Sequence, residues 1–229
     1  MENSTSPHLA QPYRLPRHIV PTRYDLQLTP HLAQAVFDGT VVIAANVLAQ
    51  APEIVLNTKA LTIHHVQVNG VESPFSLHSE TERLVIAPSA AVEPGAATIS
   101  ISFSGVLNDS LRGFYRSTYI DEDGAEQVIA ATQMQSTDCR QAFPCWDEPD
   151  FKAVFSITLV VEDHHLAISN GAEVSRQSVS SGRTAVRFAD TMSMSTYIVA
   201  FIVGPLEATQ PIDVDGTPLR IVHVPGKSH

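Results

Sequence analysis

The sequence predicts an all-β domain, a sandwich-like or saddle-shaped assembly of mostly antiparallel sheets with little or no helix. Three observations predict it. Apolar residues nowhere recur at helical spacing through three turns. Short runs in which apolar and polar residues alternate recur instead, the period-2 mark of a half-buried strand. Turn-forming pairs such as Asn69-Gly70, Pro94-Gly95 and Gly204-Pro205 punctuate those runs.

Residues 1–12 are polar and proline-bearing and are expected to form a disordered tail. An extended lead-in follows, from Arg14-Leu15-Pro16 to Pro21. Tyr24, Leu26 and Leu28 alternate with polar residues. Phe37 to Leu48 reads as a longer strand, with Gly39 as a bulge or turn residue. Ile54-Val55-Leu56 is a short apolar strand. Leu61 and Ile63 set one alternation and Val66 and Val68 the opposite one, so a bulge is expected at His64-His65. Asn69-Gly70 is a hairpin signal. Leu84 to Ile86 is the next strand, and Thr98 to Phe103 follows with serines on one wet face. Gly113 to Tyr119 and Gln127 to Gln133 flank an acidic tip, Asp121 to Gly124. Phe155 to Val161, Ala167 to Ser169, Thr184 to Phe188, Thr196 to Val203 and Leu219 to Val224 complete the strands, with a turn at Glu162-Asp163-His164-His165.

A chain of 229 residues, 44% hydrophobic, can bury one large core or two small ones. Its formal charge of −10 contains no basic patch, which excludes nucleic acid as a partner class. No apolar run reaches the length of a membrane-spanning helix. The first residues lack a basic region and an apolar core, so a cytoplasmic location is expected. Two cysteines are not a disulfide framework; Cys139 and Cys145 are expected to be reduced and buried.

The densest stretch is Val128 to Phe155, which holds both cysteines and the single tryptophan. Thr132, Gln133, Gln135, Asp138, Arg140, Asp147 and Glu148 are interleaved there with Phe143, Pro144, Trp146 and Pro149. Such a mixture between two strands predicts an ordered loop whose polar groups must find partners, because a buried unpaired one costs roughly 1–3 kcal/mol. Arg140 with Asp147 and Glu148 is expected to be a buried ion pair that pins the loop. Gln133 and Gln135, two residues apart at a strand end, are expected to point to one side.

Thr132-Gln133-Met134-Gln135, Asp138-Cys139-Arg140 and Ala142 through Pro149 closely resemble a signature of the aminopeptidase N and puromycin-sensitive aminopeptidase family of zinc peptidases. The departure is Cys139, where that family usually has alanine. Shorter matches occur in the family's order, from Arg14-Leu15-Pro16 through Gly113-Phe114-Tyr115-Arg116-Ser117 and Met194 to Phe201, up to Pro225-Gly226-Lys227. The resemblance implies the family's N-terminal β domain, spanning 13–224, with 225–229 starting a linker to a catalytic domain. In that family the catalytic domain is thermolysin-like, holds zinc with H-E-x-x-H and a distal Glu, and grips the substrate with G-x-M-E-N.

Neither motif occurs in this chain. The expectation is therefore a domain with no catalytic residue and no metal ligand of its own. Zinc would belong to the complete enzyme, and a peptide and the catalytic domain would be the partners. By the resemblance, Gln133 and Gln135 line the pocket for the substrate's first side chain and amino terminus. The alternative is a non-catalytic binding or adaptor module. The pairs His64-His65 and His164-His165 are expected to be surface histidines, since neighbours on a strand face opposite ways. The acidic tip is expected to be a solvated turn, and Cys145 has no histidine base in view.

Overall fold

A computed structural model describes residues 14–180 and 182–227; the tail expected over 1–12 lies outside them. The strands, in chain order, are β1 (Ile19–His31), β2 (Val36–Val47), β3 (Ile54–Asn57), β4 (Leu61–Val68), β5 (Val71–Glu72), β6 (Phe75–His78), β7 (Arg83–Ile86), β8 (Gly95–Val106), β9 (Gly113–Ile120) and β10 (Glu126–Gln133). They continue as β11 (Val154–Glu162), β12 (Leu166–Ser169), β13 (Glu173–Ser180), β14 (Arg183–Phe188), β15 (Phe201–Gly204), β16 (Glu207–Ala208), β17 (Ile212–Val214), β18 (Thr217–Leu219) and β19 (Val222–His223). Among the described residues, helix is limited to single 3-10 turns such as Cys139–Gln141 and Thr196–Ile198.

The largest sheet has eight strands in the order β13-β14-β11-β1-β2-β8-β4-β5. Its centre pairs β1 with β11 in parallel, while β2 lies antiparallel on the other side of β1. A three-stranded sheet, β3-β7-β6, and a four-stranded sheet, β12-β15-β10-β9, complete the layers. One face of the large sheet is dry: Tyr24, Leu26 and Leu28 of β1 and Phe37, Val41 and Ile43 of β2 are all buried. The other face is polar, as period-2 patterning requires.

Aromatic contacts join the layers. Phe37 of β2 meets Phe114 of β9 with ring centroids 5.1 Å apart, and Phe114 meets Phe201 of β15 at 4.9 Å. Within the large sheet, Tyr24 stacks on its neighbour Phe155 of β11 at 4.8 Å. Offset and edge-on pairs of this kind add to the area they bury.

Gly39 is not a bulge. It sits in regular register opposite Phe103 of β8, and Phe37 sits opposite Gly105. A Cβ on Gly39 would lie 2.4 Å from the Phe103 ring, and one on Gly105 would lie 2.4 Å from the Phe37 ring. Each phenylalanine thus lies across the glycine of the partner strand. The bulge at His64-His65 is present, as a register shift between Ile63 and His65. Asn69-Gly70 makes its turn with both residues at positive φ.

The expected strand from Thr196 to Val203 is shorter. Thr196–Ile198 is a 3-10 turn and the strand begins at Phe201. Ser195 and Thr196 are buried there, and their hydroxyls donate to Pro149 O and to Asp147. Strand β13 was not legible because almost all of it is exposed, so it carries no apolar alternation. The hairpin β17–β18, turning at Asp215-Gly216, was missed although Asp-Gly is a turn signal. Leu219 to Val224 divides into the end of β18 and the separate β19.

Replacing Gly39 with alanine forces the Phe103 ring to move. Urea unfolding should show a loss of about 1–3 kcal/mol, with the same for Gly105→Ala.

Candidate functional site

The signature loop links β10 to β11 across the end of the four-stranded sheet. Gln133, the last residue of β10, pairs with Gly113 of β9. Gly113 has φ +66°, and a Cβ there would lie 2.6 Å from the Gln141 Cβ. Glycine therefore lets the Cys139–Gln141 turn pack onto the sheet edge. Asp138 N–H donates to Met134 O at 2.9 Å, and Gln141 Nε2 donates to the Asp138 carboxylate at 2.6 Å. Thr132 Oγ1 accepts from Phe201 N–H at 3.0 Å and donates to Phe201 O at 3.2 Å, tying β10 to β15 beside the site.

Gln133 and Gln135 are both exposed, and Met134 between them is buried at 2% exposure. The strand ends at Gln133, so Gln135 stands on the loop, and the Gln135–Ser136 peptide is cis. The buried methionine anchors the segment and leaves a carboxamide exposed on either side of it. Neither carboxamide bonds to another described residue.

A buried carboxylate holds the loop. Asp147 side-chain exposure is 1%. Its Oδ2 accepts from Arg140 Nε at 2.9 Å, and its Oδ1 from Thr196 Oγ1 at 2.7 Å. Its own N–H donates to Asn57 Oδ1 at 3.2 Å. Asn57 and Cys145 also exchange both backbone hydrogen bonds, at 2.8 and 3.1 Å. Trp146 N–H donates to the buried Tyr24 hydroxyl at 3.1 Å.

The expected pairing of Arg140 is correct for Asp147 and wrong for Glu148. The second partner of Arg140 is Glu82, at 2.9 Å, which also meets Lys59 at 2.7 Å. Glu148 turns to the lead-in instead. It takes Arg14 and Arg17, each at 3.1 Å, and accepts from Leu15 N–H. Burial pushes the Glu82 pKa up, but hydrogen bonds from Lys59 and Arg140 outweigh it and hold the net value below the ordinary range. No local spacing pointed to Glu82, Asn57 or Thr196, because each comes from a distant strand or turn.

The cysteines are free and buried, with thiol pKa values pushed up by burial. A thiol so placed is a poor nucleophile. His64 and His65 are exposed at the bulge, and Asp121 caps its own turn by accepting from Asp123 and Ala125 N–H.

An apolar face leads up to Gln133. Directly opposed residues share a face of a sheet. Tyr115 opposes Ala131, Ala131 opposes Ile202, and Ile202 opposes Ile168, one row across all four strands. Ile129 lies in the next row and Gln133 two residues along β10 on the other side. These residues are half-exposed, apart from the exposed Gln133, whereas Phe114, Ala130 and Val203 on the opposite face are buried. A groove of about 320 Å³ runs along this face beside Ala131, Ile168 and Ile202.

Asp147→Ala leaves Arg140 buried without its main partner. Denaturant unfolding should show a loss of about 3–5 kcal/mol. Glu82 carries a depressed pKa, so its contribution is present above the unfolded value of about 4.3 and is lost as pH falls through the lower folded value. The stability gap between the parent chain and Glu82→Gln should therefore shrink as unfolding is measured from pH 6 down to about pH 3.

The sequence profile of the Peptidase M1 N-terminal domain matches residues 20–198. Puromycin-sensitive aminopeptidase of Caenorhabditis elegans is 38% identical over 221 residues, covering 93% of this chain and 23% of the relative. Aminopeptidase M1-A of Oryza sativa subsp. japonica is 39% identical over 224 residues, covering 94% of this chain and 25% of that protein. Endoplasmic reticulum aminopeptidase 1 of Homo sapiens is 34% identical over 228 residues, covering 93% and 24% respectively. The chain thus spans about a quarter of the length of these relatives. With that profile laid over most of an all-β fold, the chain belongs to the Peptidase M1 N-terminal domain family.

Proposed function

We propose that this chain is the N-terminal domain of a zinc aminopeptidase that removes single residues from the amino end of peptides. Its part is to complete the pocket for the substrate's amino terminus and first side chain. The observation that carries this reading is the pair Gln133 and Gln135, exposed and without a partner among the described residues, on either side of the buried Met134. The names of its relatives, all aminopeptidases, support the same reaction class.

A carboxamide suits that role. Its oxygen can accept from a substrate ammonium and its nitrogen can donate to a backbone carbonyl. Neutral Gln135 holds the ammonium less strongly than a carboxylate would. The loop behind the two glutamines is tied to three sheets, so it acts as a stop and leaves room for one residue beyond the scissile bond. The apolar face of Tyr115, Ile129, Ala131, Ile168 and Ile202 is the docking surface for a catalytic domain. On this reading the unit is residues 13–224, and 225–229 begin the connection. Two free thiols fit a reducing, cytoplasmic setting.

The residues here do not fit the family's zinc. H-E-x-x-H is absent from the sequence. Within the signature loop, Cys139, Cys145 and Asp147 come together, but both carboxylate oxygens of Asp147 are already engaged. Metal, base and nucleophilic water would come from the catalytic domain, and the chain alone hydrolyses nothing.

In the complete enzyme, Gln135→Ala should raise KM for aminoacyl substrates about tenfold, the share of one hydrogen bond to a charged group. An unchanged KM would refute the assignment. Ile202→Arg should abolish association with a separately produced catalytic domain in a pull-down, while circular dichroism stays that of a β protein. The purified chain, assayed with zinc and an aminoacyl fluorophore, should show no turnover.

A further inference from the structure

The turn between β11 and β12 joins the eight-stranded sheet to the four-stranded one, and it reads Glu162-Asp163-His164-His165. His165 N–H donates to Glu162 O at 2.9 Å and closes the turn. The two histidines were expected to face opposite ways, as strand neighbours do. They do not lie on a strand, and their ring centroids are 4.3 Å apart. His164 Nε2 lies 3.6 Å from Glu162 Oε2. One ligand atom from each of Glu162, His164 and His165 falls within 4.8 Å of the other two. Neither imidazole has a hydrogen bond to another described residue. Asp163 is held aside by Thr184 Oγ1, which donates to it at 2.6 Å. Arg183 lies opposite Glu162 in the ladder; its guanidinium meets His31 Nδ1 at 3.0 Å, and its charge also reaches His165.

We propose that Glu162, His164 and His165 form a binding site for a divalent transition-metal ion such as Cu²⁺ or Zn²⁺. Two imidazoles and one carboxylate suit those ions, whereas Ca²⁺ and Mg²⁺ take oxygen donors. Around zinc, nitrogen ligands at about 2.0–2.1 Å stand roughly 3.4 Å from one another. The present spread, up to 4.8 Å, is wider than that, and the His164 side chain, 71% exposed, has room to rotate. Three protein ligands leave a coordination position open to water. The site lies outside the signature loop and is independent of the proposed peptidase role. An ion there would tie the end of β11 to the start of β12 and stiffen the corner between the two sheets.

The test is a titration of the full, metal-free chain with Cu²⁺ and Zn²⁺ by calorimetry, with electron paramagnetic resonance of the copper form. One ion should bind, and the copper spectrum should show coupling to two imidazole nitrogens. His164→Ala and His165→Ala should each weaken binding roughly tenfold or more. Glu162→Gln should weaken it less, and His64→Ala with His65→Ala should leave it unchanged. The thermal midpoint should rise with added Zn²⁺ in the parent chain and not in His164→Ala. His164 is exposed, so that variant should keep the parent circular dichroism spectrum. Unchanged affinity in both His164→Ala and His165→Ala, or loss of the ion on replacing His64 and His65, would overturn the proposal.

Discussion

Everything near the candidate site depends on the burial of one carboxylate. Asp147 is almost wholly withdrawn from water, and a bare charge there would be intolerable. Its carboxylate takes donors from two directions, Arg140 within the loop and Thr196 before β15, and its own N–H donates to Asn57 at the end of β3. The carboxylate therefore sets the loop's position relative to the three-stranded sheet and to the four-stranded sheet at once.

The rest of the loop is built outward from that cage. Arg140 reaches on to Glu82, and Glu82 to Lys59, so charge alternates from the buried end to the partly exposed one. Glu148 performs the same service for the lead-in, drawing Arg14, Leu15 and Arg17 onto the loop's far side. Apolar packing seals what the polar contacts align: Trp146, Phe143 and Phe151 are fully buried among the strands. Outside the cage lies the exposed segment from Gln133 to Thr137, with only Met134 turned inward. Buried Met134 fixes the backbone behind the two carboxamides, which bond to no other described residue, and a backbone fixed in advance is the support that the proposed role calls for.

The apolar outer face of the four-stranded sheet belongs to the same design. Its inner face already fills the core through Phe114, Ala130, Phe201 and Val203. A sheet needs only one dry face to fold. The second row of Tyr115, Ala131, Ile202 and Ile168 is therefore surplus to folding, and it runs directly beside Gln133.

Much was legible from the sequence alone. Period-2 alternation announced most of the strands because each central strand has one face in the core, and the phase flip at His64-His65 announced its bulge. The density of polar and aromatic residues from Thr132 to Pro149 marked an ordered loop, and the resemblance drew attention to Gln133 and Gln135. Other features were decided only in three dimensions. β13 stayed hidden because an exposed edge strand has no buried face to pattern. Gly39 was misread because the need for glycine came from Phe103 on a strand about sixty residues away. Glu82, Asn57 and Thr196 were invisible as partners of the loop, and the turn at Glu162 to His165 was legible although the closeness of the His164 and His165 rings was not. The common reason is range. Alternation and turn chemistry are local and are written in neighbouring residues, whereas the choice of a salt-bridge partner, a ring's resting place or a set of converging ligands depends on which strands the folded chain lays side by side.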